Sequence, residues 1–437
     1  MPKIIVAAVP AHGHTLPLRA IAADLVARGH KVDFLGGARF AESIEATGAR
    51  FVPLPREADF DDRRIADQFP DRALVPPGPG RVAFDIKHIF TDLAPAQYRA
   101  LQGLLADVPA AAVISDNFFL GALALTLAHA PAERPVTISV GVAPPTLHSV
   151  DTAPFGLALP PSGDAAERAR NRELNAEAAA RAEPLRRYAA EVFGRVGAVL
   201  PVEHLGNVMV AVPDHYLQLT VPGFEYPRSD LPGSFRYIGA LPAAVDATEF
   251  EEPAWWPELT DAAGVGRPVV VVTQGTNAND DLSLLAAPAV RALADAEALV
   301  VVTTGRPDGP QALADLLGGL PDNVRAVGYL PFERLLPHTD VLVSNGGYGG
   351  VHTALRHGVP LVVGGEGEDK PEVAARVRWS GAGIDLRTGT PDATAVRTAV
   401  GQVLADAGYR ARARALSEEI AACRPFDVIA ELAVDTR

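Results

Sequence analysis

The chain has 437 residues, 48% hydrophobic and 21% charged, a globular composition that excludes a disordered or collagen-like protein and leaves room for two or three domains at roughly 150 residues each. A net charge of −14 argues against a general nucleic-acid binder, which needs a basic face to neutralise phosphates. The single cysteine, Cys423, excludes an intramolecular disulfide and a multi-cysteine metal site, and no apolar run approaches the roughly 20 residues of a membrane span. The first apolar stretch, from Ile4 to Val9, is too short for a signal-peptide core, so a cytoplasmic protein is expected.

In chain order, an apolar run from Lys3 to Val9 predicts a buried strand, followed by a loop from Pro10 to Pro17 and a helix from about Leu18 to Arg28. Further strands are predicted near residues 31–35, 51–53, 111–115 and 136–140, with helices between them, one of them at about 38–47. Residues 56–82 are charged and rich in Pro and Gly, which predicts a mobile loop. Residues 164–200 read as a helical insertion, with Leu174, Ala178, Leu185 and Tyr188 on one stripe and a kink at Pro184. The acidic segment 243–267 has no usable periodicity and suits an interdomain linker. After it, five more strands are predicted near residues 268–273, 298–303, 324–327, 341–344 and 360–363.

This rhythm of strand and helix predicts an α/β protein of two Rossmann-like, doubly wound parallel-sheet domains facing each other across a cleft. The expected division is 1–242, linker 243–267, 268–420, and a terminal segment 421–437. In such sheets ligands sit at the carboxyl ends of the strands, in the loops leading to helices.

Two of those loops carry candidate chemistry. The first, Pro10-Ala-His-Gly-His-Thr-Leu-Pro17, holds His12 and His14. A metal pair lacks a third ligand at recognisable spacing; helix capping and general-base chemistry remain as alternatives. A histidine base works with an acceptor that fixes its tautomer, and Asp116, after the strand near 111–115, is the candidate, with an N-cap for the next helix as its other reading. The second is Ser344-Asn-Gly-Gly-Tyr-Gly-Gly-Val351, four glycines in five positions before a helix, which would expose backbone N–H groups to a phosphate or diphosphate. Thr276 and Asn277 after another strand, and Glu368, Asp369 and Lys370 after a third, offer polar side chains suited to sugar hydroxyls or to helix capping.

The stretch Val327-Gly-Tyr-Leu-Pro-Phe through Ser344-Asn-Gly-Gly-Tyr-Gly-Gly-Val to Gly367-Glu-Asp-Lys370 resembles the nucleotide-sugar signature of family 1 glycosyltransferases, a GT-B-fold group that includes bacterial natural-product (macrolide-type) enzymes. Gly13-His14 with Pro17 resembles the family's amino-terminal motif, and Phe235-Arg-Tyr-Ile-Gly-Ala240 its pre-linker strand. The resemblance implies an inverting, NDP-sugar-dependent glycosyltransferase of natural-product or antibiotic biosynthesis, taking a dTDP- or UDP-sugar as donor and requiring no cofactor or metal. It implies His14 as general base and Asp116 as its orienter. Tyr329 and Leu330 would hold the nucleobase. Thr276, Gly347, Gly349, Gly350 and Val351 would bind the diphosphate, and Asp369 and Lys370 would read the sugar. The terminal segment from about 421 would cross back onto the amino-terminal domain.

Three positions depart from the family pattern. Asn345 replaces a phosphate-contacting histidine and leaves only an amide for the donor. Thr353 replaces a ribose-binding glutamate, which favours a dTDP-sugar, and Lys370 replaces a glutamine, either to meet a donor carboxylate or to pair with Glu368. Apolar segments such as Phe84 to Phe90, Phe118-Phe119 and Pro144 to Phe155 suit a hydrophobic small-molecule acceptor or plain core packing. A silent sugar-nucleotide-binding auxiliary protein and a GT-B sugar-nucleotide epimerase are the rival readings. Monomer and homodimer both fit, with no nucleic acid or membrane partner.

Overall fold

The computed structural model describes residues 2–76, 78–242, 251–275 and 279–434. The chain divides into two compact units, one made of Met1–Thr220, Tyr226–Ala244 and Cys423–Arg437, the other of Val221–Glu225 and Val245–Ala422.

The first unit is built on β1 (Lys3–Ala7), β2 (Lys31–Gly36), β3 (Arg50–Pro53), β4 (Ala112–Asp116), β5 (Val136–Gly141), β6 (His215–Gln218) and β7 (Phe235–Tyr237), in the spatial order 3-2-1-4-5-6-7. Every pair is parallel. Parallel strands covered on both faces read as continuous apolar runs, and β1 shows why. Its Ile5 and Ala7 join Leu101, Leu120 and Phe193 on one side, while Ile4 and Val6 join Leu18, Ile21 and Leu25 on the other. The second face is completed by Ile429, Ala430, Leu432 and Ala433 of the Pro425–Val434 helix, which is also held by the bond from Arg28 Nη2 to Asp427 Oδ1 at 2.7 Å.

The second unit repeats the plan with β8 (Val269–Thr273), β9 (Leu299–Thr303), β10 (Val324–Val327), β11 (Val341–Ser344), β12 (Leu361–Val363) and β13 (Gly383–Asp385), ordered 10-9-8-11-12-13 and parallel throughout. In both sheets the order reverses beside the first strand, at β1/β4 and at β8/β11. The loops that leave those strands are therefore where a ligand belongs.

The doubly wound α/β class is thus present, but several local expectations are corrected. The loop expected at Pro10 to Pro17 is largely helical: the helix spans His12–Ala27 with Pro17 inside it. Proline at its sixth position removes an N–H that would otherwise bond the Gly13 carbonyl, a loss tolerated in this early turn. The mobile loop expected at 56–82 contains short helical turns at Arg56–Ala58, Asp62–Arg64, Ile65–Gln68 and Pro70–Leu74. These turns close on Phe60, whose ring meets Phe69 edge-on at 5.7 Å. A helix at Pro79–Phe84 then runs into a π-helical turn, Asp85–Thr91. Within the expected linker, residues 243–250 lie outside the described residues, and Pro257–Gly264 is a helix that buries Leu259 and Ala262. Strands β6 and β13 were not expected, because His215-Tyr-Leu-Gln218 and Gly383-Ile-Asp385 are too short and polar to stand out.

Candidate active site

In the first unit, the β1-to-helix turn and the end of β4 bring His14 and Asp116 together. His14 Nδ1 lies 2.8 Å from Asp116 Oδ1. Asp116 is 1% exposed, and both of its oxygens are committed: Oδ2 accepts the Val9 N–H at 2.8 Å and Oδ1 also accepts the Phe118 N–H at 2.9 Å. An ionised carboxylate only accepts, so His14 Nδ1 is the donor of this bond, and in the neutral imidazole the lone pair is then on Nε2. The capping alternative for Asp116 does not hold, since the Leu120–Ala128 helix has Phe119 at its N-cap with no side-chain cap.

The His14 side chain is 19% exposed, with a pair of aromatic rings beside it. Phe118 meets it edge-on at 5.6 Å, Phe90 stands 5.9 Å away, and the two phenyl rings are 4.8 Å apart. Phe90 gets there from the π-helical turn. The same segment sends Phe84, His88 and Asp92 into a different cavity of about 390 Å³, lined also by Phe69 and Leu93, where His88 Nδ1 bonds Asp92 Oδ2 at 2.8 Å.

His12 has a different task. Its backbone N–H donates to Asp62 Oδ2 at 2.7 Å, and Asp62 also pairs with Arg39. Burial, reinforced by the charges of Arg39 and Arg19, pushes the His12 imidazole below its ordinary pKa, which favours the neutral ring. Asp62 thus ties the 56–82 segment to the first turn of the His14 helix, a link with no sequence signal beyond an Asp-rich run. Among the described residues, no group of three or more His, Cys, Asp or Glu side chains is placed to hold a metal ion.

In the second unit, the loops after β8, β9, β11 and β12 interlock. Asn345 is buried. Its Nδ2 donates to the Gln274 carbonyl at 2.5 Å, and its Oδ1 receives the Gly347 N–H at 3.4 Å. Asn345 therefore braces the glycine turn against the β8 loop. Gly346 has φ +85°, and a Cβ there would stand 2.7 Å from Val363 Cγ1, so glycine is required by conformation and by space. The following helix is Tyr348–Arg356 with Gly347 at its N-cap, so Gly349 and Gly350, expected to precede the helix, lie in its first turn. Val351 N–H is taken by the Gly347 carbonyl at 3.0 Å, which leaves the amides of Gly349 and Gly350 in the turn where a helix supplies no acceptor. A Cβ on either glycine would meet nothing within 4 Å.

Leu330 is buried, whereas Tyr329 beside it is 72% exposed on the loop after β10. Lys370 is buried and bonds Glu368, which is the pairing alternative for this residue. Asp369 stands at the N-cap of the Lys370–Ser380 helix without capping it by its side chain. Thr353 spends its hydroxyl on the Gly349 carbonyl at 2.9 Å. Thr276 and Asn277 lie outside the described residues. One loop escaped the sequence reading: Thr304-Gly-Arg306 after β9, where Arg306 Nη1 donates to the Asp280 carbonyl at 3.2 Å and Gly305 N–H to the Gly328 carbonyl at 2.7 Å. The signal was there, a Thr-Thr-Gly-Arg turn directly after a Val-rich strand.

Residues 289–434 match the family described as "Erythromycin biosynthesis protein CIII-like, C-terminal domain". Over 437 aligned residues the chain is 41% identical to UDP-glycosyltransferase 2 of Phaeomoniella chlamydospora, covering 98% of this chain and 94% of that protein. The chain belongs to the glycosyltransferase family. A second relative of this glycosyltransferase, 4'-demethylrebeccamycin synthase of Lentzea aerocolonigenes, is 42% identical over 428 residues, covering 96% of each. Among solved structures, the glycosyltransferase VinC in complex with dTDP superposes with a TM-score of 0.67 at 20% identity, covering 98% of both chains, which identifies the fold as GT-B. Among the described residues of the enzyme, no helix is long and apolar enough to cross a membrane.

Proposed function

We propose that the enzyme moves a sugar from a dTDP- or UDP-sugar to a hydroxyl of a small hydrophobic acceptor, by direct displacement with inversion at the anomeric carbon. The observation that carries this reading is the buried, triply bonded Asp116 on His14 Nδ1, which leaves Nε2 as an oriented proton acceptor. Phe90 and Phe118 support an apolar acceptor, because its carbinol or phenol carbon would rest against phenyl faces while its oxygen reaches Nε2. The similarity to UDP-glycosyltransferase 2 supports a nucleotide-sugar donor.

In the proposed step His14 Nε2 takes the hydroxyl proton as the acceptor oxygen bonds to the anomeric carbon. The bond from that carbon to the diphosphate oxygen breaks, and its electron pair leaves with the nucleoside diphosphate. Asp116 balances the charge of the resulting imidazolium. The amides of Gly349 and Gly350, at the positive end of the Tyr348–Arg356 helix, favour the departing anion. Asp369 and Lys370 are assigned to the sugar, Tyr329 and Leu330 to the base, and Asn345 and Gly347 to the shape of the diphosphate turn; Thr276 keeps its proposed diphosphate role.

The test is transfer by the purified chain from UDP-glucose and dTDP-glucose to a panel of phenols and hydrophobic alcohols, with His14→Ala alongside. General-base removal should lower turnover about 10²–10⁴-fold. A folded H14A enzyme that turns over like the parent would refute the assignment.

A further inference from the structure

Residues Val221–Glu225 follow β6 in the chain, yet they pack with the second unit. Val221, Phe224 and Glu225 are all buried. The Gly223 N–H donates to Glu419 Oε1 at 3.0 Å, and its carbonyl accepts from Arg412 Nη2 at 2.8 Å, both on the Ala407–Ala421 helix. A Cβ on Gly223 would lie 2.2 Å from Glu419 Oε2, so a side chain there would push aside the carboxylate that accepts the Gly223 N–H. The Phe224 ring meets His352 edge-on at 4.8 Å, on the Tyr348–Arg356 helix. Burial pushes the His352 imidazole down to about 4, and its Nδ1 donates to the Tyr348 carbonyl at 2.9 Å, so this contact is made by a neutral ring.

Glu225 then reaches the Lys370–Ser380 helix. Its carboxylate takes Arg376 Nε at 2.8 Å and Nη2 at 2.8 Å, a forked pair in which both side chains are at most 1% exposed. The remaining nitrogen, Arg376 Nη1, donates to Glu372 Oε2 at 2.8 Å and to the Glu372 carbonyl at 3.0 Å. Glu372 is in the first turn of that helix, two residues beyond Lys370. Five consecutive residues therefore hold three helices, and two of those helices begin at the loops assigned to the donor.

Resting on the donor assignment above, we propose that Glu225 is a positioning residue for the sugar end of the donor. Through Arg376 and Glu372 it fixes the first turn that carries Asp369 and Lys370, whereas the diphosphate turn at Gly346–Gly350 is braced by Asn345 and its helix is met by Phe224 through His352, not by the Glu225 carboxylate. A buried guanidinium shared by two carboxylates has no water to substitute for a lost partner, so neutralising Glu225 draws Arg376 towards Glu372 and displaces that turn.

The experiment is calorimetric binding of UDP against UDP-glucose and dTDP against dTDP-glucose to the full chain, its Glu225→Gln and Glu225→Asp variants, and Asp369→Ala. E225Q should weaken the sugar nucleotide about tenfold or more, while the free diphosphate changes less than about twofold. E225D, which keeps the charge, should recover most of the difference. Equal losses for both ligands, or no loss, overturn the proposal, since a merely structural clamp would move both together. If D369A abolishes the sugar's contribution and E225Q does not, only the role of Glu225 falls. If the parent binds both ligands equally and D369A changes nothing, the donor assignment falls and takes this proposal with it. Should E225Q fail to fold, Arg376→Lys, which keeps the charge but loses the fork, carries the same expectation.

Discussion

Replacing Asp116 by asparagine perturbs one charge at nearly constant volume. The carboxylate serves three N–H donors: Val9 at one oxygen, Phe118 and His14 at the other. An amide has a single acceptor oxygen and an NH₂ group. With the oxygen towards His14 and Phe118, the NH₂ faces the Val9 N–H and one buried donor is stranded. With the oxygen towards Val9, the NH₂ faces Phe118 N–H and His14 Nδ1; the imidazole must then move its hydrogen to Nε2, and the base is lost. Either orientation orphans one buried backbone N–H, at about 1–3 kcal/mol of stability. Neither stabilises the imidazolium, so turnover should fall by roughly 10²–10⁴. Steady-state transfer with saturating donor, alongside urea unfolding, measures both. A D116N enzyme with turnover within about threefold of the parent would show that the His14–Asp116 bond is structural only.

Other consequences are as specific. Gly346→Ala forces a Cβ into φ +85° and against Val363, and should cost about 1–3 kcal/mol in a denaturation series. UDP or dTDP at about 100 times its Kd should stabilise the parent by about 2.7 kcal/mol in thermal melts, and the preferred nucleobase should give the larger shift. Stability should decline with acidity in two windows. Burial, with His204 adjacent, pushes His148 to about 4, and burial also pushes His352 to about 4. The unfolded chain therefore binds protons that the native state refuses as pH falls from about 6.5 towards 4. For Asp214, burial alone would raise the carboxyl, but Arg134 with the N–H and hydroxyl of Thr137 holds it at about 2. Its contribution is complete above the ordinary pKa of about 4 and lost as pH falls towards 2. After solvent screening it is worth about 1–2 kcal/mol, and Asp214→Asn should remove that lower window from urea midpoints measured against pH.

The strands that build the two sheets were legible because both faces are buried, so runs such as Val269–Thr273 carry an unbroken apolar signal. His14, Asp116 and the four-glycine turn were legible for a related reason: each stands just past such a run. Helix starts were misplaced where a proline or glycine cluster looked like a loop. Pro17 sits inside the first helix, and Gly349 and Gly350 belong to the first turn of another. The 56–92 segment was opaque because its order comes from tertiary partners. Asp62 meets the His12 backbone, and the π-helical turn aims Phe90 at His14 while Phe84, His88 and Asp92 line a separate cavity. No periodicity encodes a π turn. The Glu225–Arg376 pair joins residues 151 positions apart, beyond any local pattern.

The role of His14 is tested most directly by how the cost of removing it depends on the acceptor. The ratio of parent to H14A kcat/KM should be measured for an aliphatic alcohol and for a nitrophenol already ionised at the assay pH. A loss of about 10²–10⁴ is expected with the alcohol, and one smaller by about tenfold or more with the nitrophenolate, which has no proton to surrender. Equal losses with both acceptors would contradict a base at Nε2.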